Sequence, residues 1–244
     1  MVTKAIIPIK PLTSWSYSRY NDWRTCPLKA KFKHIDKLKE PGSPAMDRGN
    51  QIHKDAEAYI KAVKPRLAPE LALFADEFKM LRALYKKKSL PMIVEDNWAF
   101  TKDWTETQWD DWVGCWVRIK LDCAHYVEAG HLLVTDWKSG KPSDYKTLEY
   151  MEQLELYALA ALLLYPELDR VQVRIGWTDV GQMYPQEPLM YTPESTKRLL
   201  KEWNARVKPM MTDTKFVPKP NNNCRWCFFG EAGKTKGGPG LCKY

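Results

Sequence analysis

Residues 112–138 read WVGCWVRIKLDCAHYVEAGHLLVTDWK, and this stretch decides the fold. Two runs, 112–126 and 131–138, are rich in aliphatic and aromatic residues and predict β-strands. Val127-Glu128-Ala129-Gly130 between them predicts a hairpin turn. Successive strand residues face opposite sides, so Asp136 and Lys138 share one face and Trp137 takes the other. Trp137 can then enter a core while a carboxylate and an ammonium emerge together. The preceding run His131–Thr135 should hold the strand rigid, and Gly140 and Pro142 should end it. Asp-x-Lys alone also describes a surface ion pair on an edge strand. Asp122 changes that reading. If the two strands pair, Asp122 and Asp136 approach each other across them. Two carboxylates held close repel unless a divalent cation lies between them, and oxygen ligands of this kind suit Mg²⁺ or Mn²⁺. A lysine beside them would orient water and offset phosphate charge, as metal-assisted phosphodiester hydrolysis requires.

Working outward, residues 16–36 predict two short helices broken at Pro27, with Ser14 or Ser16 as a cap. Residues 45–63 carry Ile52, Ala56, Tyr59, Ile60 and Val63 at helical spacing, and 70–86 predict a second amphipathic helix. Residues 92–101 predict a strand, 146–165 an apolar helix, 170–178 and 181–190 two strands, and 194–209 a helix. Helices, three strands, a helix, two strands and a helix, in that order, predict an α/β fold with a mixed central β-sheet flanked by helices. The chain is read as a single domain over 1–244. Its parts are a helical arm and first-motif helix (1–90), a catalytic core (91–190), and a C-terminal helix with a cysteine-bearing tail (191–244).

Three further groups stand out. His53 lies on the 45–63 helix, with Gly49 one turn before it and Glu57 one turn after, although a lone helical histidine is usually structural. Gly49 would admit a close neighbour or ligand. Gln153 and Tyr157, spaced i, i+4, place polar tips on one face of an otherwise apolar helix. They are either snorkelling surface groups or contacts to a substrate backbone. Cys224 and Cys227 form a C-x-x-C pair, with Cys242 fifteen residues later and Cys26 far upstream. Four thiolates suit an iron–sulfur cluster or Zn²⁺, and such a site would tie the two chain ends together. Cys115 and Cys123 sit within a predicted strand and read as packing residues.

The net charge is +8, with Lys and Arg concentrated in residues 1–39 and 197–244 and a near-neutral to acidic middle. Basic ends around an acidic centre suit a cationic track leading to a metal-binding core, though solvated lysine faces would give the same counts. No run approaches the ~20 apolar residues of a membrane span, and the first residues lack a signal-peptide core. A cytoplasmic location is expected, in the host if the chain is phage-encoded.

Taken together, the motifs resemble the RecB-type branch of the PD-(D/E)XK nucleases, which includes the CRISPR-adaptation exonucleases and the AddB-type helicase-nuclease subunit. The resemblance runs through SYSRY at 16–20, CPLKAKF at 26–32, RGNQIH at 48–53, Leu121-Asp122, DWKSG at 136–140, QLELY at 153–157 and CRWC at 224–227. It implies a restriction-endonuclease-like core. His53, Asp122, Asp136 and the Trp137 backbone carbonyl would ligate the metal, and Lys138 would be the catalytic lysine. Gln153 and Tyr157 would contact substrate. Cys26, Cys224, Cys227 and Cys242 would hold a 4Fe–4S cluster, with Zn²⁺ as the alternative. Two departures stand out. Arg118-Ile119-Lys120-Leu121-Asp122 replaces the Gly-Arg-Ile-Asp often found in the family, and the Cys227–Cys242 gap is longer than usual.

The expected function is a metal-dependent DNA exonuclease acting on ends or single strands in recombination, repair or phage DNA metabolism. Recombination or replication proteins are its expected partners. The chain carries no G-x-x-x-x-G-K-[ST] helicase motif, so it would not unwind DNA itself. Water would attack phosphorus, with Lys138 positioning or deprotonating it. A non-catalytic nucleic-acid-binding or assembly protein that keeps the fold is the alternative, and a redox or zinc protein built on C-x-x-C is a third.

Overall fold

The computed structural model describes residues 10–244. The chain divides into two compact units, one formed by the segments up to Pro41 and from Asn204 onward, the other by Gly42–Trp203. The boundary at Pro41 falls inside the stretch 1–90, read from the sequence as a helical arm and first-motif helix.

In the first unit, Ser16 caps α1 (Tyr17–Thr25) by accepting the Arg19 N–H, and Pro27 opens α2 (Pro27–His34). Asp22 joins the two helices, lying 2.9 Å from both His34 and Lys33. Burial alone would raise the Asp22 pKa, but the hydrogen bonds from His34 and Lys33 outweigh it and hold it low. The tail closes on these helices. Trp23 Nε1 donates to Asp213 at 2.8 Å, and the Phe32 and Phe229 rings lie 5.3 Å apart.

The second unit begins with α3 (Pro44–Ile60), capped by Ser43 and started by Pro44. Its predicted apolar stripe is real: Ile52, Ala56, Tyr59 and Ile60 are buried. Val63, placed on the same stripe, lies beyond the helix and is exposed. The helix expected over 70–86 starts as a 3-10 turn at Pro69–Phe74 and becomes α4 only at Ala75–Lys87.

The sheet contains β1 (Met92–Phe100), β2 (Val117–Glu128), β3 (His131–Lys138), β4 (Arg170–Trp177) and β5 (Gln182–Tyr191), ordered as numbered. β3 and β4 run parallel and every other pair antiparallel, so the sheet is mixed, as the sequence predicts. The parallel pair needs a long crossover, which α5 (Asp144–Leu164) supplies. Its run Leu156–Leu162 is buried on every side, and the helix packs on β3 and β4. α6 (Thr196–Met211), entered through a 3-10 turn at Pro193–Ser195, crosses from the second unit into the first. No helix of the described residues is long and apolar enough to cross a membrane.

Both ends of β2 also differ from expectation. β2 starts at Val117, not at residue 112, because the Asp111 side chain accepts the N–H groups of Val113 and Gly114 and coils the chain there. The strand then continues two residues past Tyr126.

Below the sheet, Trp137 packs its ring 5.2 Å from that of Phe74 and 4.7 Å from that of Phe78. Gly176 on the next strand makes this possible, since a Cβ there would lie 2.4 Å from the indole.

Candidate active site

Three strands and two helices converge on one cleft of ≈ 470 Å³, whose lining includes His53, Glu95, Asp122, Asp136, Lys138 and Gln153. The β2–β3 register pairs Cys123 with Thr135, so one step further sets Asp122 opposite Asp136, as the hairpin reading requires. Both carboxylates face the α5 side, while Cys123, Thr135 and Trp137 point to the α4 side.

Asp122 accepts the Trp137 N–H at 3.0 Å through Oδ2. The same oxygen lies 3.2 Å from His53 Nδ1, and Glu95 Oε1 lies 3.6 Å from that nitrogen. Among the described residues, His53, Glu95 and Asp122 form a group whose ligand atoms all lie within 4.8 Å of one another and could hold a metal ion. Asp136 is 2 % exposed. Its Oδ2 meets Lys138 Nζ at 2.6 Å, yet neither oxygen receives a well-directed hydrogen bond. A buried carboxylate with oxygens so poorly satisfied fits a cation as its missing partner. Lys138 is also held by Gln153 Oε1 at 3.3 Å and lies 4.5 Å from the centre of the Tyr150 ring. Gln153 in turn donates to the Tyr157 hydroxyl at 2.5 Å.

The electrostatics follow from this crowding. Burial works against a charge on His53, but Asp122 and Glu95 outweigh it and raise its pKa to about 10. Burial and the Asp122 charge push Asp136 up to about 6 despite Lys138. Burial would raise Asp122 as well, but His53 and Lys138 hold it low. Lys138 is raised, since Asp136 and Asp122 outweigh its own desolvation. At neutral pH the imidazolium of His53 therefore stands between two carboxylates, where a metal cation would otherwise balance them.

Glu95 was not singled out from the sequence. Flanking pairs Val94–Cys123 and Asp96–Leu121 bracket it opposite Asp122. Its backbone is left-handed, with φ of 51°, which costs a non-glycine residue roughly 1–2 kcal/mol. That cost aims its side chain, only 10 % exposed, at His53 and at Lys120, whose Nζ lies 2.9 Å from Oε2. An acidic pair interrupting the apolar run MIVEDNWAF was the only signal in the sequence. Gly49 is not essential for packing, since a Cβ there would meet only the Ser139 hydroxyl at 3.4 Å.

The frame of the cleft is fixed from outside. Arg48, on α3, makes a two-pronged contact to Asp179 at 2.7 and 2.9 Å, and Asp179 also accepts the Gly140 N–H at 2.9 Å.

The four cysteines predicted as a cluster all belong to the first unit and are free, partly buried thiols. Cys26 Sγ accepts the Lys219 N–H at 3.5 Å, and Cys224 Sγ accepts the Asn221 N–H at 3.3 Å. Cys242 pairs with Gly230 in a short parallel bridge. Cys115 and Cys123 are buried, as expected of packing residues.

The family model of the PD-(D/E)XK nuclease superfamily matches residues 14–232, and the chain belongs to that superfamily. Its members use divalent metals, in keeping with the His53, Glu95 and Asp122 group. Among solved structures, the chain is 13 % identical to a Eubacterium rectale protein named "Putative exonuclease", over 88 % of this chain and 86 % of that one, with a TM-score of 0.45. It is 12 % identical to SSO0001, over 91 % and 85 % of the two chains, with a TM-score of 0.39. No curated protein matches the sequence.

Proposed function

We propose that the protein is a divalent-metal-dependent DNA exonuclease that hydrolyses phosphodiester bonds at ends or in single strands. The observation that carries this reading is the convergence of His53, Glu95, Asp122, Asp136 and Lys138 on one cleft. His53, Asp122 and Asp136, with Glu95 and the Trp137 carbonyl, are assigned as ligands of Mg²⁺ or Mn²⁺. The bound ion would supply positive charge at the scissile phosphate and make water more acidic. The residues do the rest. Trp137 N–H fixes the Asp122 carboxylate, and Gln153 holds Lys138 while Tyr157 holds Gln153. Gln153 and Tyr157 are thereby assigned to the substrate side of the cleft, with Tyr157 acting through Gln153. The raised pKa of Lys138 favours a protonated amine that orients water and balances phosphate charge over a base that removes a proton.

Cys26, Cys224, Cys227 and Cys242 are assigned to a 4Fe–4S cluster, with Zn²⁺ as the alternative. Backbone N–H groups donate to two of the sulfurs, an arrangement that suits ligand sulfur. Absorption at about 400 nm in anaerobically purified protein would identify iron, and a colourless zinc-containing preparation would overturn it. Placement in the RecB-type branch, and a role in recombination, repair or phage DNA metabolism, belong to the same proposal.

The test is a time course on 5′- and 3′-labelled linear and circular DNA with Mg²⁺ or Mn²⁺. Release of mononucleotides or short products from linear DNA alone is expected. Cleavage of circles would replace the exonuclease with an endonuclease. No cleavage with either ion would leave a binding protein that keeps the fold.

A further inference from the structure

We infer that Trp226 is a stacking platform for an unpaired nucleobase, making the first unit a single-stranded nucleic-acid binding surface; this rests on the nuclease reading. An exposed tryptophan alone means little. Three observations single this one out.

The first is its exposure and its neighbours. Trp226 is 66 % exposed, with the Arg225 guanidinium 5.7 Å and Lys236 Nζ 5.3 Å from the ring centre. Among the described residues neither cation forms an ion pair, so both charges remain available to phosphate.

The second is its rigid seat. Trp226 ends a 3-10 turn, Asn222–Trp226, whose cap Asn221 accepts the Asn223 N–H at 2.8 Å and donates to Thr25 O at 3.0 Å. A Cβ on Gly233 would lie 1.9 Å from the Phe228 carbonyl oxygen, so only glycine lets the next turn, Glu231–Lys236, wind so closely against Phe228. Lys236 reaches the indole from that turn. An aromatic ring on a fixed seat loses little entropy when a base covers it.

The third is charge. Segments 1–41 and 204–244 hold 17 Lys and Arg against 5 Asp and Glu, a net +12, while 42–203 hold 21 against 25, a net −4. The most exposed tryptophan of the second unit, Trp112 at 81 %, has the Arg118 guanidinium 5.0 Å from its ring centre but follows Asp110 and Asp111 in the acidic unit. Trp226 is thus a broadly exposed ring whose surroundings suit a polyanion, and ring stacking with backbone cations is how unpaired strands are held without sequence preference.

The experiment measures binding of the full-length protein, without added divalent ion, to a fluorescent oligothymidylate of about 20 nucleotides and to an abasic strand of equal length. The unaltered protein should prefer the strand with bases. Trp226→Ala should lose that preference, weakening oligothymidylate binding about tenfold and abasic binding little, and Trp226→Phe should restore most of it. Arg225→Gln with Lys236→Gln should weaken both probes and reduce the slope of log affinity against log salt by about 1.4. Iron and zinc contents are compared across the variants, so that a lost cysteine-bound metal is recognised. If the unaltered protein shows no preference, or Trp226→Ala retains it, the platform is wrong. If the unaltered protein then still cleaves DNA, the nuclease reading survives, whereas neither binding nor cleaving any strand overturns both.

Discussion

Asp122 and Cys123 are neighbours on one strand, yet their side chains enter opposite worlds. On the α5 side, His53, Glu95, Asp122, Asp136 and Lys138 crowd together and leave carboxylate oxygens unsatisfied. On the α4 side, Trp137 is sealed by Phe74 and Phe78, and the Arg174 guanidinium is answered by Glu77 and by Thr135 at 3.1 Å. The two faces also treat histidine in opposite ways. His53 is raised to about 10 by its carboxylates, whereas burial, helped by Arg174 and His131, lowers His125 to about 4. One face gathers charged groups around the unsatisfied carboxylate of Asp136, and the other packs aromatic rings against the sheet.

The sharpest way to break this contrast is to exchange losses. Lys138→Ala or Asp136→Asn should cut hydrolysis at least about a thousandfold in a single-turnover assay, and Asp136→Asn, which removes the repulsion from Asp122, should keep the urea midpoint. Trp137→Ala should do the reverse, costing about 3–5 kcal/mol in urea unfolding. Below its lowered midpoint the folded fraction should still bind metal. A Lys138→Ala protein that cuts at the parent rate removes the lysine from the mechanism.

Acid should separate the faces next. An unfolded His125 titrates at its ordinary value, and the folded one only at about 4. Its neutral form therefore supports the fold above about pH 6.5, and that support is lost as pH falls toward 4, by up to about 3 kcal/mol. His53 has the opposite sign: its charge supports the metal-free fold below its ordinary value, and that support fades as pH rises through about 10. His125→Gln should flatten the acid limb of a urea-midpoint profile between pH 4 and 6.5, and an unchanged limb would remove His125 as its cause.

Metal binding sharpens the comparison further. To serve as a ligand, His53 must release its proton, so Mn²⁺ affinity should rise about tenfold per pH unit near neutrality. Calorimetry in two buffers of different ionisation enthalpy should report about one proton released per ion. His53→Ala should abolish that release, and a buffer-independent heat in the unaltered protein would refute the assignment.

The smallest effect is expected at Glu95. Glu95→Gly removes the left-handed penalty but also the contacts to His53 and Lys120, so the stability of the metal-free fold should change by about 1 kcal/mol or less, while metal binding weakens. A much larger loss would mean that those contacts, not the twist, dominate at this position.

Much of the site could be read from the sequence because β-strand geometry is simple. HLLVTDWK and its partner strand place Asp122, Asp136 and Lys138 on one face by alternation alone, and the helical stripe around Ile52 and Ala56 places His53 on the next element. Glu95 escaped because its role depends on one unusual backbone angle and on the β1–β2 register, neither of which the residue pattern encodes. The start of β2 departs from the residue pattern for a related reason. Trp112, Val113 and Trp116 look like strand residues, but the Asp111 carboxylate captures the local N–H groups and bends the chain first. The division at Pro41 depends on long-range packing that local periodicity does not carry.

The bond from Arg48 to Asp179 lies at the surface and adds little to stability. Its consequence is steering. It latches the helix that carries His53 to the turn after β4 and, through Gly140, to the end of the strand that carries Asp136 and Lys138. Mg²⁺ demands near-ideal octahedral geometry. Slackening the latch from outside should therefore penalise the smaller, stricter ion more than Mn²⁺, giving the enzyme a tuning screw that never touches its substrate.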